Sequence, residues 1–239
     1  VIVCNSHSRE DKVLSKFLSL RVLDACIVMS PELDDEMLFD LAKNMFPVVA
    51  LDRDISGENI GCVLMDNSES GYEIAKLFAS RGFIKIGYIG PNPEFDYTHD
   101  VEDRNKGFLK GVKEFGLDLQ QSRYCYGGFT VESGYYCMKE MLDRGDIPRA
   151  LFTANDEMAI GALRAIKEHK LKVPADISLI GFDDVYMASY TTPSLSTVQR
   201  PCFSLGSAAV DLLFGMMNKT NEVKRVLLPT KIILRESFK

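Results

Sequence analysis

The sequence predicts an α/β fold made of two doubly wound parallel-sheet subdomains. Short apolar runs alternate with helical patterns, and this alternation comes in two successive series that divide near Asp66. In addition, the stretch from Ala150 to Asp184 has the pattern of strand, helix and strand. A unit of this length forms a parallel, right-handed crossover. Repeated units of this kind give a parallel sheet with helices on both faces.

The stretch ALFTANDEMAIGALRAIKEHKLKVPADISLIGFDD begins with an apolar strand over Ala150–Thr153. Asn155 is a favoured helix N-cap residue, and the two acidic residues after it suit the positive end of the helix dipole. A second apolar strand ends directly before Asp183 and Asp184. Parallel strands place their carboxyl ends at one edge of the sheet, where open α/β sheets bind ligands. We therefore expect these polar residues at a binding edge.

The series before Asp66 contains four predicted strands and two predicted helices. The strands are VIVCNS (1–6), DACIVMS (24–30), PVVALDR (47–53) and Cys62–Met65, and the helices are Glu10–Arg21 and Asp34–Asn44. Successive strand–helix units predict a parallel sheet in this part of the chain.

The series after Asp66 opens with a helix over Glu69–Arg81, capped by Asp66 or Asn67. A long loop over Gly90–Glu102 is rich in proline, aspartate and aromatic residues, and loops of this length are usually functional. The other predicted elements are strands over Lys85–Ile89, 123–126, Leu195–Val198 and 227–237, and helices around Arg104–Phe108, over Val131–Asp143 and over Ser204–Met217.

Several long stretches carry a family resemblance. They are ESGYEIAKLFASRGFIKIGYIG, the RNKGF run, GGFTVESGY, TANDEMAIGALRAI followed by VPADISLIGFDD, TTPSLSTVQRP and LLPTKIILRES. Together they resemble the lactose-repressor/galactose-repressor (LacI/GalR) family of bacterial transcription regulators. The resemblance covers nearly all of the chain. It implies two doubly wound subdomains of the periplasmic-binding-protein type, joined by three crossing segments, with an effector in the cleft between them.

The resemblance also implies how the chain is divided. Residues 1–65 with 201–228 would form the N-terminal subdomain, and residues 66–200 with 229–239 would form the C-terminal subdomain. The family's binding domain starts with one more strand and helix, so we expect the natural protein to extend upstream by at least these elements. A helix-turn-helix headpiece before them would bind operator DNA. A homodimer is expected, with Met158–His169 and the segment near Tyr186–Thr192 as candidate contacts.

The effector site is the most specific implication of the resemblance. The family positions that line the effector pocket match Arg104, Asp183, Asn155, Phe129, Asp52 and Asp100. These residue types suit a sugar-like ligand, because carboxylates and amides bind hydroxyls and arginine supplies a fixed fork of donors. Three of these residues also have a purely structural interpretation. In it, Asn155 is only an N-cap, Phe129 is only a core residue, and Asp52 is only a turn residue at the end of a strand.

Composition restricts the remaining partners. The formal net charge of −6 makes the chain a poor nucleic-acid binder by itself, because phosphate contacts need clustered lysine and arginine. No apolar run approaches the roughly 20 residues of a membrane span. The six cysteines are scattered without metal-ligand spacing, so we expect reduced thiols in a cytoplasmic protein and neither a metal nor a cofactor.

Two other functions compete with the regulator. A periplasmic sugar-binding protein of an ABC transporter is the alternative, but six free cysteines would be unusual in an oxidising compartment. An enzyme is not expected, because the sequence has no P-loop, dinucleotide fingerprint or nucleophile–base grouping. Asp183 and Asp184 are adjacent and point in different directions, which is poor geometry for a two-carboxylate mechanism.

Overall fold

The computed structural model describes residues 23–29, 33–43, 46–92, 99–220 and 224–239. The strand and helix predicted over residues 1–21 lie outside the described residues. Chain contacts divide the molecule into two compact units, which we call the first unit and the second unit. The first contains the chain up to Met65 and Pro201–Leu228, and the second contains Asp66–Arg200 and Pro229–Lys239. The chain therefore passes between the units three times.

The elements in chain order are named as follows. They are β1 (Cys26–Val28), α1 (Asp35–Ala42), β2 (Val48–Leu51), β3 (Ile60–Met65), α2 (Asn67–Ser80), β4 (Ile86–Pro91), α3 (His99–Glu114), β5 (Tyr124–Gly127), α4 (Val131–Asp143), β6 (Ala150–Thr153), α5 (Asp156–Glu168), β7 (Ser178–Ile180), β8 (Thr197–Gln199), α6 (Cys202–Met217), β9 (Arg225–Leu228) and β10 (Lys231–Ile233). Short 3₁₀ turns lie at Gln121–Arg123 and Tyr186–Ser189.

The first unit contains a parallel sheet with the strand order β1-β2-β3-β9. Its strands are short apolar runs, and β3 is buried along its whole length. Helix α1 begins after Asp34, whose carboxylate accepts a hydrogen bond of 2.9 Å from the Met37 amide. Leu38 of this helix packs into the core with Val48 and Ile60. The predicted parallel α/β arrangement is therefore found here.

The second unit contains a parallel sheet with the strand order β5-β4-β6-β7. Strands β8 and β10 form a separate antiparallel pair. The single strand predicted over residues 227–237 is wrong, because the chain forms β9 in the first unit and β10 in the second. Pro229 lies between them, and proline has no N–H group with which to continue a sheet ladder.

The helices of the second unit pack in pairs with very close backbones. Helices α4 and α5 cross where Gly134 faces Met158 and Gly161 faces Val131. A Cβ atom at either glycine would overlap backbone atoms of the facing helix. The two helices therefore need glycine at both positions of the crossing.

The amino-terminal ends of the strands in the second unit are held by a buried arginine. Arg123 donates to the Ile86 carbonyl at 3.1 Å and to both carboxylate oxygens of Asp146 at 2.9 and 3.0 Å. It also pairs with the Asp118 carboxylate at 2.7 Å. Hydrogen bonds from Lys85, Ser122 and Arg123 hold the pKa of the Asp146 carboxyl below its usual range. This network fixes the edge of the sheet opposite the predicted binding edge.

Helix α3 begins earlier than the sequence predicts. The expected loop up to Glu102 is wrong at its end, because the helix starts at His99. Asp100 therefore lies in the first turn of the helix and not in the loop. Acidic residues in a first turn are stabilised by the helix dipole, which explains why residues with loop character continue the helix here.

The structure also corrects the expectation that all cysteines are reduced. Cys125 of β5 and Cys137 of α4 are joined by a disulfide, with their Cα atoms 5.6 Å apart. Cys26, Cys62 and Cys202 are free thiols. Because two cysteines are paired, the cysteine content is no longer an argument for placing the protein in a reducing compartment.

Candidate functional site

Arg104 is the centre of the candidate site in the second unit. It lies on α3 with only 2% of its surface exposed. Its guanidinium lies over the Phe182 ring, 3.5 Å from the ring centroid, which is a cation–π contact. Arg104 is therefore a buried cation.

Polar partners surround the Arg104 guanidinium. Nη1 donates to the Ala154 carbonyl, and Nε and Nη2 donate to Asn67 Oδ1 at 3.4 and 3.2 Å. Asp100 Oδ2 lies 3.9 Å from Nη2. A guanidinium carries two N–H groups on each terminal nitrogen. One on each nitrogen therefore has no hydrogen-bond partner among the described residues, and both are suited to a ligand oxygen.

Asp183 supplies the negative charge of the site. Its half-buried carboxylate interacts electrostatically with Arg104 and Arg200. Burial raises the pKa of this carboxyl, and the two arginines oppose that shift. Arg104 and Arg200 act on this carboxyl through their charges, and within the described ranges no side-chain hydrogen bond contributes to its pKa. The site therefore combines a buried cation with a carboxylate that can accept hydrogen bonds.

Asn155 joins the site to the bend between β5 and α4 that contains Phe129. Its Oδ1 caps α5 by accepting from the Met158 amide at 2.9 Å, and its Nδ2 donates to the Phe129 carbonyl at 3.0 Å. Phe129 is half-buried and has a φ of +59°. Asn155 therefore acts as an N-cap and also fixes the backbone that presents the Phe129 ring.

The second aspartate of the pair has a different environment. Asp184 Oδ1 accepts a hydrogen bond of 2.7 Å from Arg235, and Oδ2 accepts one of 3.0 Å from Gln199. Both carboxylate oxygens are thus bound to protein groups. Of the two aspartates, Asp183 has the carboxylate that is open to a ligand.

The structure brings five of the six predicted site residues into one connected group. Arg104 contacts Asp100 and interacts with Asp183, and it binds the carbonyl directly before Asn155. Asn155 in turn binds the Phe129 backbone. The sixth residue, Asp52, belongs to the first unit. It follows β2 with a φ of +57°, and its amide donates to the Val63 carbonyl at 3.1 Å.

Three side chains at this site were not predicted from the sequence. Asn67 and Phe182 hold the Arg104 guanidinium, and they come from segments far from it in the chain. Asp156, expected only as a helix-start residue, is fully buried. No sequence pattern distinguishes such an inward-pointing aspartate from its exposed neighbour Glu157.

Asp156 links three segments behind Asp183. Its Oδ1 accepts a hydrogen bond of 2.7 Å from the Thr197 hydroxyl, and its Oδ2 accepts one of 2.9 Å from the Val185 amide. Burial raises the pKa of this carboxyl to about 7. Gly181 passes so close that any side chain there would overlap Asp156 Oδ1.

Within the described ranges, no three histidine, cysteine or acidic side chains are grouped so that they could hold a metal ion. The described helices are all too short or too polar to cross a membrane.

Comparison with known proteins shows the same architecture in a set of regulators. The periplasmic binding protein-like domain family matches residues 75–238. The HTH-type transcriptional repressor PurR of Pasteurella multocida is 32% identical over 244 residues, covering 100% of this chain and 72% of PurR. Catabolite control protein A of Priestia megaterium is 30% identical over 243 residues, with coverage of 100% and 72%.

Solved structures agree with these sequence relatives. A LacI-family regulatory protein from Chloroflexus aggregans superposes with a TM-score of 0.87 at 26% identity, covering 99% of this chain and 84% of that protein. A LacI-family regulator from Enterococcus faecium with bound ribose has a TM-score of 0.84 at 26% identity, with coverage of 99% and 86%. The transcriptional regulator CelR in complex with cellobiose has a TM-score of 0.81 at 27% identity, with coverage of 94% and 68%.

Proposed function

Because the chain belongs to the LacI family of transcriptional regulators, we propose that its effector is a sugar or sugar derivative bound at the Arg104–Asp183 site. The chain corresponds to the effector-binding, periplasmic-binding-protein-like part of such a regulator. The observation that carries the proposal is the pairing of a buried guanidinium, two of whose N–H groups have no partner among the described residues, with the nearby Asp183 carboxylate. Such a pair binds vicinal hydroxyls, since one group donates and the other accepts.

The remaining predicted residues complete the proposed pocket. The Phe129 ring covers the apolar face of the ligand, Asn155 fixes the backbone that presents this ring and has a second amide N–H for the ligand, and Asp100 orients Arg104. Asp52 contributes from the first unit, as the family resemblance implies. Two structural relatives are described with bound ribose and cellobiose, which supports a carbohydrate in this class of site.

The proposed effector acts on DNA binding and not on a chemical reaction. The relatives are transcriptional repressors of the helix-turn-helix type. We therefore place operator DNA on a headpiece outside this chain, and propose that the effector changes DNA affinity by binding one conformation better than another. A periplasmic binding protein of a transporter is less well supported, because the relatives above are regulators and not transport proteins.

We further propose that the chain functions as a cytoplasmic homodimer. Tyr186, Met187 and Tyr190 form an apolar surface on the second unit, with 75%, 55% and 63% of their surfaces exposed. Contiguous exposed apolar side chains of this size are typical of protein–protein interfaces. This surface lies in the segment that the family resemblance marks as a dimer contact.

A thermal-unfolding screen tests the proposed effector site. We expect one member of a panel of ribose, cellobiose, other mono- and disaccharides and sugar phosphates to raise the unfolding midpoint. At a hundredfold excess over its Kd the ligand adds about 2.7 kcal/mol of stability. That corresponds to a shift of roughly 5–10 °C for a chain of this size.

Matched variants locate the binding. Asp183→Ala should abolish the shift, whereas Glu157→Gln, which neutralises an exposed carboxylate on the first turn of α5, should keep it. If no member of the panel changes the midpoint, the sugar proposal is wrong. If Asp183→Ala keeps the full shift, the ligand binds elsewhere.

A further inference from the structure

The turn that carries Asp183 has an unusual backbone. Asp183 has a φ of +107° and Asp184 a φ of +56°, so two successive residues with side chains occupy the left-handed region. Such conformations are unfavourable for residues other than glycine and persist only where surrounding contacts enforce them. One support is the adjacent strand segment, where the Asp183 amide donates to the Val198 carbonyl at 2.9 Å.

The second support is Asp156, which holds the turn on both sides. Its backbone amide donates to the Phe182 carbonyl at 2.8 Å, directly before Asp183. Its side-chain Oδ2 accepts from the Val185 amide at 2.9 Å, directly after Asp184. One residue therefore fixes the two ends of the left-handed pair.

A hydroxyl relay extends this support to the middle of the turn. The Thr197 hydroxyl donates to Asp156 Oδ1 at 2.7 Å, and the Thr197 oxygen accepts from the Asp184 amide at 3.2 Å. Val185 and Asp184 thus both direct their amides, one of them through Thr197, towards the same buried carboxylate. Leaving a buried backbone amide without an acceptor costs folding free energy.

We propose that Asp156 is a positioning residue for the effector site: its buried carboxylate holds the strained turn that presents Asp183 to the ligand. The carboxylate form suits this task because both oxygens act as acceptors, whereas protonation converts one of them into a donor. The hydrogen bonds from Asp156 to the turn are therefore strongest when Asp156 is ionised. This inference rests on the proposed role of Asp183 in effector binding.

The charges around Asp156 come from every neighbouring segment. Asp183 and Asp184 of the turn oppose its ionisation. The charged groups that interact with these two aspartates are Arg104, Asp100, Glu157 and Arg200 around Asp183, and Arg235 at Asp184. Burial is the largest influence, and it raises the pKa of Asp156 to about 7. The ionised fraction of Asp156 therefore changes across neutral pH, and the strength of its hydrogen bonds to the turn should change with it.

Hydrogen exchange on the effector-free chain tests directly whether Asp156 and Thr197 hold the turn. We expect Asp156→Asn and Thr197→Val each to speed exchange of the Asp184 and Val185 amides by tenfold or more. Glu157→Gln, on the same first turn, should leave both rates unchanged. The Val185 amide resonance of the parent chain should titrate near pH 7, and this titration should be absent in Asp156→Asn. Parental exchange rates in both variants would overturn the proposal, and Thr197→Val still decides it if Asp156→Asn does not fold.

Effector binding supplies the second measurement. For the sugar that raises the unfolding midpoint of the parent chain, Asp156→Asn should weaken Kd by tenfold or more, and Glu157→Gln by less than twofold. Faster exchange with an unchanged Kd would show that the turn is held but does not position Asp183, which also overturns the inference. If no sugar binds the parent chain, the proposed function fails, and with it the positioning role, while the exchange result still reports whether Asp156 holds the turn.

Discussion

Replacing Asp156 by asparagine should change how the stability of the second unit depends on pH. Burial raises the pKa of this carboxyl from 3.8 to about 7 in the folded chain. The folded state then binds more protons than the unfolded state between these values. The cost of burying the ionised carboxylate exceeds the gain from its stronger hydrogen bonds, so stability from this group is greatest at low pH and is lost as the pH rises through about 7.

The size of the effect follows from the two pKa values. A tenfold difference in proton affinity corresponds to about 1.4 kcal/mol, so the full effect is about 4 kcal/mol. About 2–3 kcal/mol of it falls between pH 5 and pH 8. Asparagine does not titrate, so the variant should lack this part of the pH dependence even though it loses hydrogen bonds at every pH.

Urea unfolding at several pH values from about 5 to about 8 measures the difference. The free energy of unfolding of the parent chain should fall by about 2–3 kcal/mol more than that of Asp156→Asn over this range. Other titrating groups are common to both proteins and cancel in the comparison. Glu157→Gln, which removes an exposed neighbouring carboxylate, should follow the parent. Parallel curves for the parent and Asp156→Asn would refute the assignment of a buried acid that is neutral below pH 7.

Two further predictions concern the helix crossing and the buried charge of the second unit, with one control substitution, Gly206→Ala, on α6 of the first unit. Gly161→Ala should lower the free energy of unfolding by about 1–3 kcal/mol because its Cβ would overlap the facing helix, whereas Gly206→Ala, on a helix with open space around it, should raise it by about 0.5–1 kcal/mol. Arg104→Met should cost about 3–5 kcal/mol because it leaves Asp100 and Asp183 without their buried cation, and urea unfolding at pH 7 measures it. A loss under 1 kcal/mol would mean that neither carboxylate depends on Arg104.

Local patterns in the sequence predict much of the second unit. Helix α4 over Val131–Asp143 and strand β6 over Ala150–Thr153 have the predicted bounds, because a cap or a charged turn marks their ends. Asn155 caps its helix as expected. The placement of Arg104 and Asp183 in one site was also predicted, through the family resemblance together with the geometry of parallel strands.

Other features depend on contacts between segments that are distant in the chain, and no local sequence pattern predicts them. The bond between Arg104 and Asn67 joins helices that are 37 residues apart in sequence. The Cys125–Cys137 disulfide joins two cysteines that have no recognisable spacing motif. The burial of Asp156 depends on Gly181 and Thr197, which approach it only in the folded sheet. The periodicity of a single sequence does not show which distant segments come into contact in the folded chain.

The residues at which the chain enters and leaves the second unit are tied to the candidate site or to each other. Asn67, just after the first crossing, binds Arg104, and Arg200, just before the second, donates its amide to the Asp183 carbonyl at 3.3 Å. Thr230, just after the third, shares a hydrogen bond of 2.7 Å with Ser70. Under the proposed function, a ligand that shifts Arg104 or Asp183 would therefore also act on Asn67 and Arg200, which stand beside two of the three points where the chain enters or leaves the second unit.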